Sequence, residues 1–132
     1  MSAPDPKPGD TLPDLAGARM SRARLALFAG ASHDHTDIHI DIDRAREAGH
    51  DDVIAQGMLV MAEMARLVTG WAPRERLLGL RCRFLGIVHV GETLNYSGKV
   101  ETVDDRVIHV TLSGVTEDGR QVVSGAATVA RA

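Results

Sequence analysis

The sequence predicts an α+β fold, an antiparallel sheet wrapped around one long apolar helix, and three observations carry that prediction. From Val53 to Val68, apolar residues recur at helical spacing on almost every face, interrupted only by Gln56, Glu63 and Arg66. A helix apolar nearly all round is enclosed rather than laid on a surface. Beyond Pro73 the period changes to two: Leu78, Leu80, Cys82 and Phe84 alternate with Gly79, Arg81 and Arg83. Turn sequences then punctuate the C-terminal half, Asp104-Asp105 and Asp118-Gly119, so consecutive strands form a meander.

The remaining elements follow in order. Residues 1–10 are rich in proline and lack an apolar pattern, which reads as a loose arm; residues 1–20 form the arm and first strand, and 21–132 the domain proper. Ser21 caps a short helix from Arg22 to Ala29 that Gly30 ends. Asp43 opens another short helix that runs through Ala48 and stops at Gly49. Three of the five methionines, Met58, Met61 and Met64, lie on the long helix and suit an irregular core. Strands follow with Leu94, Tyr96 and Val100 inward, then Ile108, Val110 and Leu112, then Gln121 to Ala130.

Composition narrows the functions available. A chain of 132 residues is one domain with a modest core. Its formal charge of −3 supplies no basic field for nucleic acid. One cysteine, Cys82, excludes an internal disulfide and any multi-cysteine zinc site, as in a reducing, cytoplasmic setting. No run approaches the roughly 18 apolar residues of a membrane span.

Chemistry concentrates between Ser32 and Asp43, where three of the six histidines and four aspartates share one polar run just ahead of the long helix. Asp34 and His39 are the candidate acid–base pair, since an imidazole titrates near neutrality. A capped loop with a satisfied histidine is the alternative reading. The alternation of His33, His35, Asp37, His39, Asp41 and Asp43 resembles a ligand set, but Ile42 stands where a calcium loop needs glycine, and no metal is expected. Gly57 heads the long helix, whose first N–H groups lack internal partners. Arg74, Arg76, Arg81 and Arg83 are either phosphate contacts or the solvent face of a strand.

Three segments in register carry a family resemblance. Asp34-His35-Thr36-Asp37-Ile38-His39 resembles the Asp-x-Asn-Pro-x-His loop of MaoC-like, (R)-specific enoyl-CoA hydratases and hydroxyacyl dehydratases, which have the hotdog fold. Ile54-Ala55-Gln56-Gly57-Met58-Leu59 is similar to that family's Ile-Ala-His-Gly-Met-Leu. Arg83-Phe84, followed by Gly91-Glu92-Thr93-Leu94, resembles its Arg-Phe strand and Gly-Asp-Thr-Leu turn. Thr36-Asp37 replaces Asn-Pro, Gln56 replaces histidine, and His33 replaces a small residue. The loop also resembles the small subunit of actinobacterial steroid side-chain hydratases.

The resemblance implies a lyase that reversibly adds water to a trans-2-enoyl thioester, giving a 3-hydroxyacyl thioester. Asp34 and His39 would handle water and protons, and the Gly57 N–H would hold the thioester oxygen. Thr36, Gln56, Met58 and Met61 would line the substrate site. Coenzyme A would arrive as part of the substrate, with no other cofactor. A homodimer is the expected assembly, with a heteromer containing another MaoC-like subunit as the alternative. Two further alternatives are a catalytically silent subunit and a dehydratase for carrier-protein-bound substrates.

Overall fold

The central helix forms from Gly57 to Trp71 rather than from Val53 to Val68, because Ile54 bridges His89 and enters it as extended chain, and the sheet closes over it. The computed structural model describes residues 5–132. In chain order the elements are β1 (Leu15–Ala16), α1 (Arg22–Ser32), α2 (Ile42–Glu47), α3 (Gly57–Trp71), β2 (Leu77–Phe84), β3 (Leu94–Val103), β4 (Val107–Thr116) and β5 (Gln121–Ala130). Single 3-10 turns occupy Asp37–His39 and Arg74–Arg76. The five strands form one sheet in the order β1-β3-β4-β5-β2, with every neighbouring pair antiparallel.

The helix α3 lies against β2, β3 and β4. It buries Leu59, Val60, Met64, Leu67 and Val68 against inward residues of the strands, including Leu94, Tyr96, Val100, Ile108, Val110, Leu112 and Val129. This α+β arrangement is the hotdog architecture that the resemblance implies. The Asp118-Gly119 pair closes the β4–β5 hairpin as the turn chemistry requires. No helix among the described residues is long and apolar enough to cross a membrane.

Several local expectations are corrected. The first helix does not stop at Gly30; it runs to Ser32, whose hydroxyl donates to the Phe28 carbonyl at 2.7 Å, and His33 ends it with φ 60°. Ser21 does cap it, accepting from the Arg24 N–H. Asp41, not Asp43, caps α2: its carboxylate accepts from the Asp43 and Arg44 N–H groups. Leu78 faces outward and Leu77 inward, because a bulge between Leu77 and Gly79 adds a residue and reverses the alternation. The arm is not loose where it is described. Gly9 and Leu12 donate to the Val100 and Gly98 carbonyls, so the segment runs along β3 and buries Leu12. Residues 1–4 lie outside the described residues.

The helix α3 is also not enclosed on every side. Met58 is 57% exposed, and Ala62 is exposed beside it. With Phe84, Leu85 and Ile87, also open to solvent, Met58 makes the N-terminal end of the helix an apolar region of the surface.

Candidate active site

The polar loop gathers at the entry to α3. His33, a non-glycine residue in the left-handed region, turns the chain sharply out of α1. Asp34 follows, with its N–H donating to the Ser32 hydroxyl at 3.3 Å, so this residue hangs from the end of α1. His39 closes the 3-10 turn and is tied elsewhere: its Nδ1 lies 2.7 Å from the Ile54 carbonyl, and the Ile54 N–H donates to the Ile38 carbonyl. Two separately anchored segments therefore meet, bringing His39 Nε2 to 3.8 Å from Asp34 Oδ2.

These bonds fix the electronic character of both groups. A carbonyl can only accept, so Nδ1 carries a proton as donor to Ile54, and in the neutral ring Nε2 presents its lone pair toward Asp34. The Thr36 hydroxyl donates to Asp34 Oδ1 at 2.7 Å and the Thr36 N–H adds a second bond at 3.3 Å. Those bonds, aided by the fields of His39 and His35, hold the Asp34 carboxyl below the usual carboxylate range. Asp34 is thus an ionised acceptor at neutral pH. Two acceptors separated by this gap suit one water molecule between them.

Gly57 is the first residue of α3, and Gln56 caps the helix without a side-chain bond to it. Leu59 is the first N–H to turn back, onto the Gln56 carbonyl at 3.1 Å, so the Gly57 and Met58 N–H groups precede the helical ladder. The macrodipole places partial positive charge there. A Cβ at position 57 would sit 2.9 Å from Phe84 Cζ, so only glycine lets that ring close over the helix end. Beside it opens an apolar cavity of about 230 Å³ bounded by Ile54, Gly57, Val60, Phe84, Ile87 and Val122. Its outer wall, the loop after β2, is pinned where Arg120 donates to the Ile87 carbonyl at 3.1 Å and pairs with Glu92 at 2.9 Å.

The other expected site residues are placed as follows. Thr36 is exposed and its polar atoms engage Asp34. Gln56 is fully buried, its Nε2 donating to the Leu25 carbonyl at 2.8 Å, which ties α1 to the start of α3. Its Oε1 is buried without a hydrogen-bond partner. Met58 is exposed at the helix mouth and Met61 is half-buried one turn on. Arg76 donates to the Ala130 carbonyl, while Arg74, Arg81 and Arg83 are solvent-facing. Among the described residues, no three metal-ligating side chains converge.

The sequence reading passed over one cluster. Glu63, 3% exposed, accepts from Arg24 Nη2 at 2.5 Å and from the Tyr96 hydroxyl at 2.6 Å. Burial, with the adjacent Glu63 carboxylate, pushes the Tyr96 hydroxyl far above its ordinary range, so it remains a donor. The signal was present: Glu63 falls four residues from both Leu59 and Leu67, on the buried stripe of the helix.

Fold and site together define a hotdog protein with a carboxylate–imidazole pair at the mouth of its central helix. The chain belongs to the MaoC like domain family, which matches residues 5–124. It is 32% identical over 104 residues to the 3-oxo-4,17-pregnadiene-20-carboxyl-CoA hydratase beta subunit of Mycobacterium tuberculosis, covering 76% of this chain and 78% of that protein. It is 33% identical over 84 residues to Nodulation protein N of Rhizobium meliloti, a match spanning 58% of this chain but only 52% of the relative. A mitochondrial 3-hydroxyacyl-[acyl-carrier-protein] dehydratase of Arabidopsis thaliana is 27% identical over 53% of this chain and 42% of its own length. Among solved structures, the ChsH1-ChsH2 complex from Mycobacterium tuberculosis contains a chain with TM-score 0.85 and 25% identity, over 94% of this chain and 97% of that one. The (R)-hydratase from A. caviae involved in PHA biosynthesis also gives TM-score 0.85, at 26% identity over 95% of this chain and 96% of that one.

Proposed function

We propose that this protein is a hydratase/dehydratase, a carbon–oxygen lyase that reversibly adds water to a trans-2-enoyl thioester. The observation that carries the reading is the pair of acceptors, His39 Nε2 and Asp34 Oδ2, 3.8 Å apart at the entry to α3. A water held between them loses a proton to Nε2 while its oxygen bonds to Cβ of the enoyl group. Electrons of the double bond move onto the thioester oxygen, where the Gly57 N–H and the helix dipole stabilise the charge. The Nε2–H so formed faces Asp34 Oδ2, and Nδ1–H keeps its bond to the Ile54 carbonyl. That proton then passes to Cα as the carbonyl re-forms, which closes the balance and regenerates neutral His39. Dehydration is the same path reversed.

The substrate is an acyl thioester, with coenzyme A its proposed carrier and no further cofactor in the reaction. The Arabidopsis relative, whose name specifies an acyl-carrier-protein substrate, keeps carrier-protein thioesters as the alternative. An apolar cavity of about 230 Å³ falls below the roughly 300–1,000 Å³ of ordinary ligand sites. A second subunit over the exposed Met58, Phe84, Leu85 and Ile87 would extend it, so we infer a homodimer; the length of the chain and its lone cysteine are the grounds on which we infer a single domain and a cytoplasmic setting. The likeness to a chain of the ChsH1-ChsH2 complex favours a second reading, in which turnover requires a different MaoC-like partner.

Hydration of crotonyl-CoA and longer enoyl-CoAs, followed by loss of enoyl absorbance, tests the proposal. Activity that disappears in Asp34→Asn and His39→Ala supports it. Activity confined to a co-purified partner complex supports the heteromer, and unchanged activity in both variants overturns the assignment of the pair.

A further inference from the structure

Asp34 and His39 are anchored to different parts of the molecule, so something must hold those parts in register. Asp34 hangs from the C-terminal end of α1 through His33 and Ser32, whereas His39 is held by Ile54 on the segment that enters α3. Within the loop, Thr36 donates to Asp34 from its hydroxyl and its N–H, and the His39 N–H donates to the Thr36 carbonyl; these bonds set the local shape of the pair, while the seating of α1 on α3 sets where its Asp34 end stands.

Three ties join α1 to α3 and its entry. Arg22 pairs with Asp52 at 2.5 Å, but Arg22 is largely exposed, and such pairs hold geometry weakly. Gln56 Nε2 bonds the Leu25 carbonyl. The third tie, Arg24 to Glu63, is buried at its acidic end and braced from both sides. The Tyr96 hydroxyl fixes Glu63 to the sheet, and Arg24 Nη1 also donates to the Ala18 carbonyl at 3.2 Å. Gly17 leaves the space this needs, since a Cβ there would lie 2.6 Å from Glu63 Oε2.

We propose that the Arg24–Glu63 pair, buried at its acidic end, is a positioning device of the Asp34–His39 pair, holding α1 so that the carboxylate and imidazole share one water. From Arg24 to Ser32 the helix rises about 12 Å. A rotation of roughly 5° about that anchor moves Asp34 by about 1 Å, a misplacement that can cost on the order of 100-fold in rate. Neither Arg24 nor Glu63 touches the reacting atoms; they act through α1. The inference rests on the proposed chemistry for its kinetic consequence, but its geometric part is independent of substrate.

The test uses Arg24→Met, and beside it the double variant Arg24→Met/Glu63→Gln. The latter removes both charges of the pair, so that no carboxylate is left buried alone, and keeps a hydrogen-bonding group opposite Tyr96. A core truncation remote from the site, Ile108→Ala, controls for general loosening. Two quantities are read: kcat and KM on crotonyl-CoA, and the change that Asp34→Asn causes in the His39 ring resonances without substrate. The expected result is kcat down at least tenfold with KM within twofold, and a His39 response to Asp34→Asn less than half that of the parent, in both tether variants but not in Ile108→Ala. A full response, or losses matched by Ile108→Ala, overturns the inference. If the parent protein is inactive on thioesters, with and without partner, the proposed function falls, while the resonance arm still decides the tether.

Discussion

Replacing Gly57 with alanine separates catalysis from stability at this site. The added Cβ would approach Phe84 Cζ to 2.9 Å and Cε2 to 3.0 Å, so the ring must swing aside. Phe84 is 48% exposed, and an off-rotamer displacement of its ring costs about 0.5–1.5 kcal/mol. Against this, alanine is favoured over glycine in a helix by up to about 1 kcal/mol. The two nearly cancel, leaving stability within about 1 kcal/mol of the parent, a shift in melting temperature of roughly 4 °C or less. On the proposed mechanism, the methyl group also stands in the path of a thioester approaching the helix N–H groups. Loss of one such donor removes about 2.7–4 kcal/mol of transition-state stabilisation, or 100- to 1,000-fold in kcat. Calorimetry and crotonyl-CoA hydration on the same preparation measure both. Activity within threefold of the parent, or a stability loss as large as the catalytic one, would refute the role given to Gly57.

Thr36→Val removes the strongest influence on the Asp34 carboxyl, so its pKa should move up toward the ordinary value, read as the ¹³C titration of that carboxyl; an unmoved midpoint contradicts the role of the Thr36 hydroxyl. Asp34, Asp52, Asp104 and Asp118 are all held below the usual carboxylate range by hydrogen bonds. Their stabilisation is complete above the unfolded pKa near 4 and is lost as pH falls through the depressed native values, so urea midpoints should decline below about pH 4. Tyr96→Phe leaves one Glu63 oxygen without its buried donor and should destabilise the fold by about 1–3 kcal/mol in denaturant titration. Leu85→Asp at the apolar helix mouth should shift the protein toward monomer in light scattering if that surface is a subunit contact.

What the sequence revealed depended on whether a feature repeats. The helix α3 and strands β3 to β5 announce themselves because burial imposes a period, and Leu94, Tyr96, Val100, Ile108, Val110 and Leu112 are all buried as the alternation requires. Single-residue events were harder to read. Asp41 and Asp43 are both plausible caps, and only the backbone path selects Asp41. Gly30 looks like a terminator, yet the helix tolerates it and ends where His33 can take up the left-handed conformation. The bulge that turns Leu78 outward has no periodic trace. At the site, the proximity of Asp34 and His39 was legible from their loop, but the partners that set their chemistry were not. Ile54 contributes a backbone carbonyl, which leaves no mark in a side-chain pattern, and Glu63 was masked as one polar interruption in an apolar run.

The imidazole's proton is held by main chain rather than by another side chain. Its tautomer is therefore written into the path of the polypeptide at Ile54, where the bridge to His39's neighbour Ile38 and the short pairing with His89 keep that path fixed. Any residue that preserves this course supplies the same oxygen at the same place, so an apolar exchange at position 54 reshapes the cavity wall while the polarity of the ring stays constant.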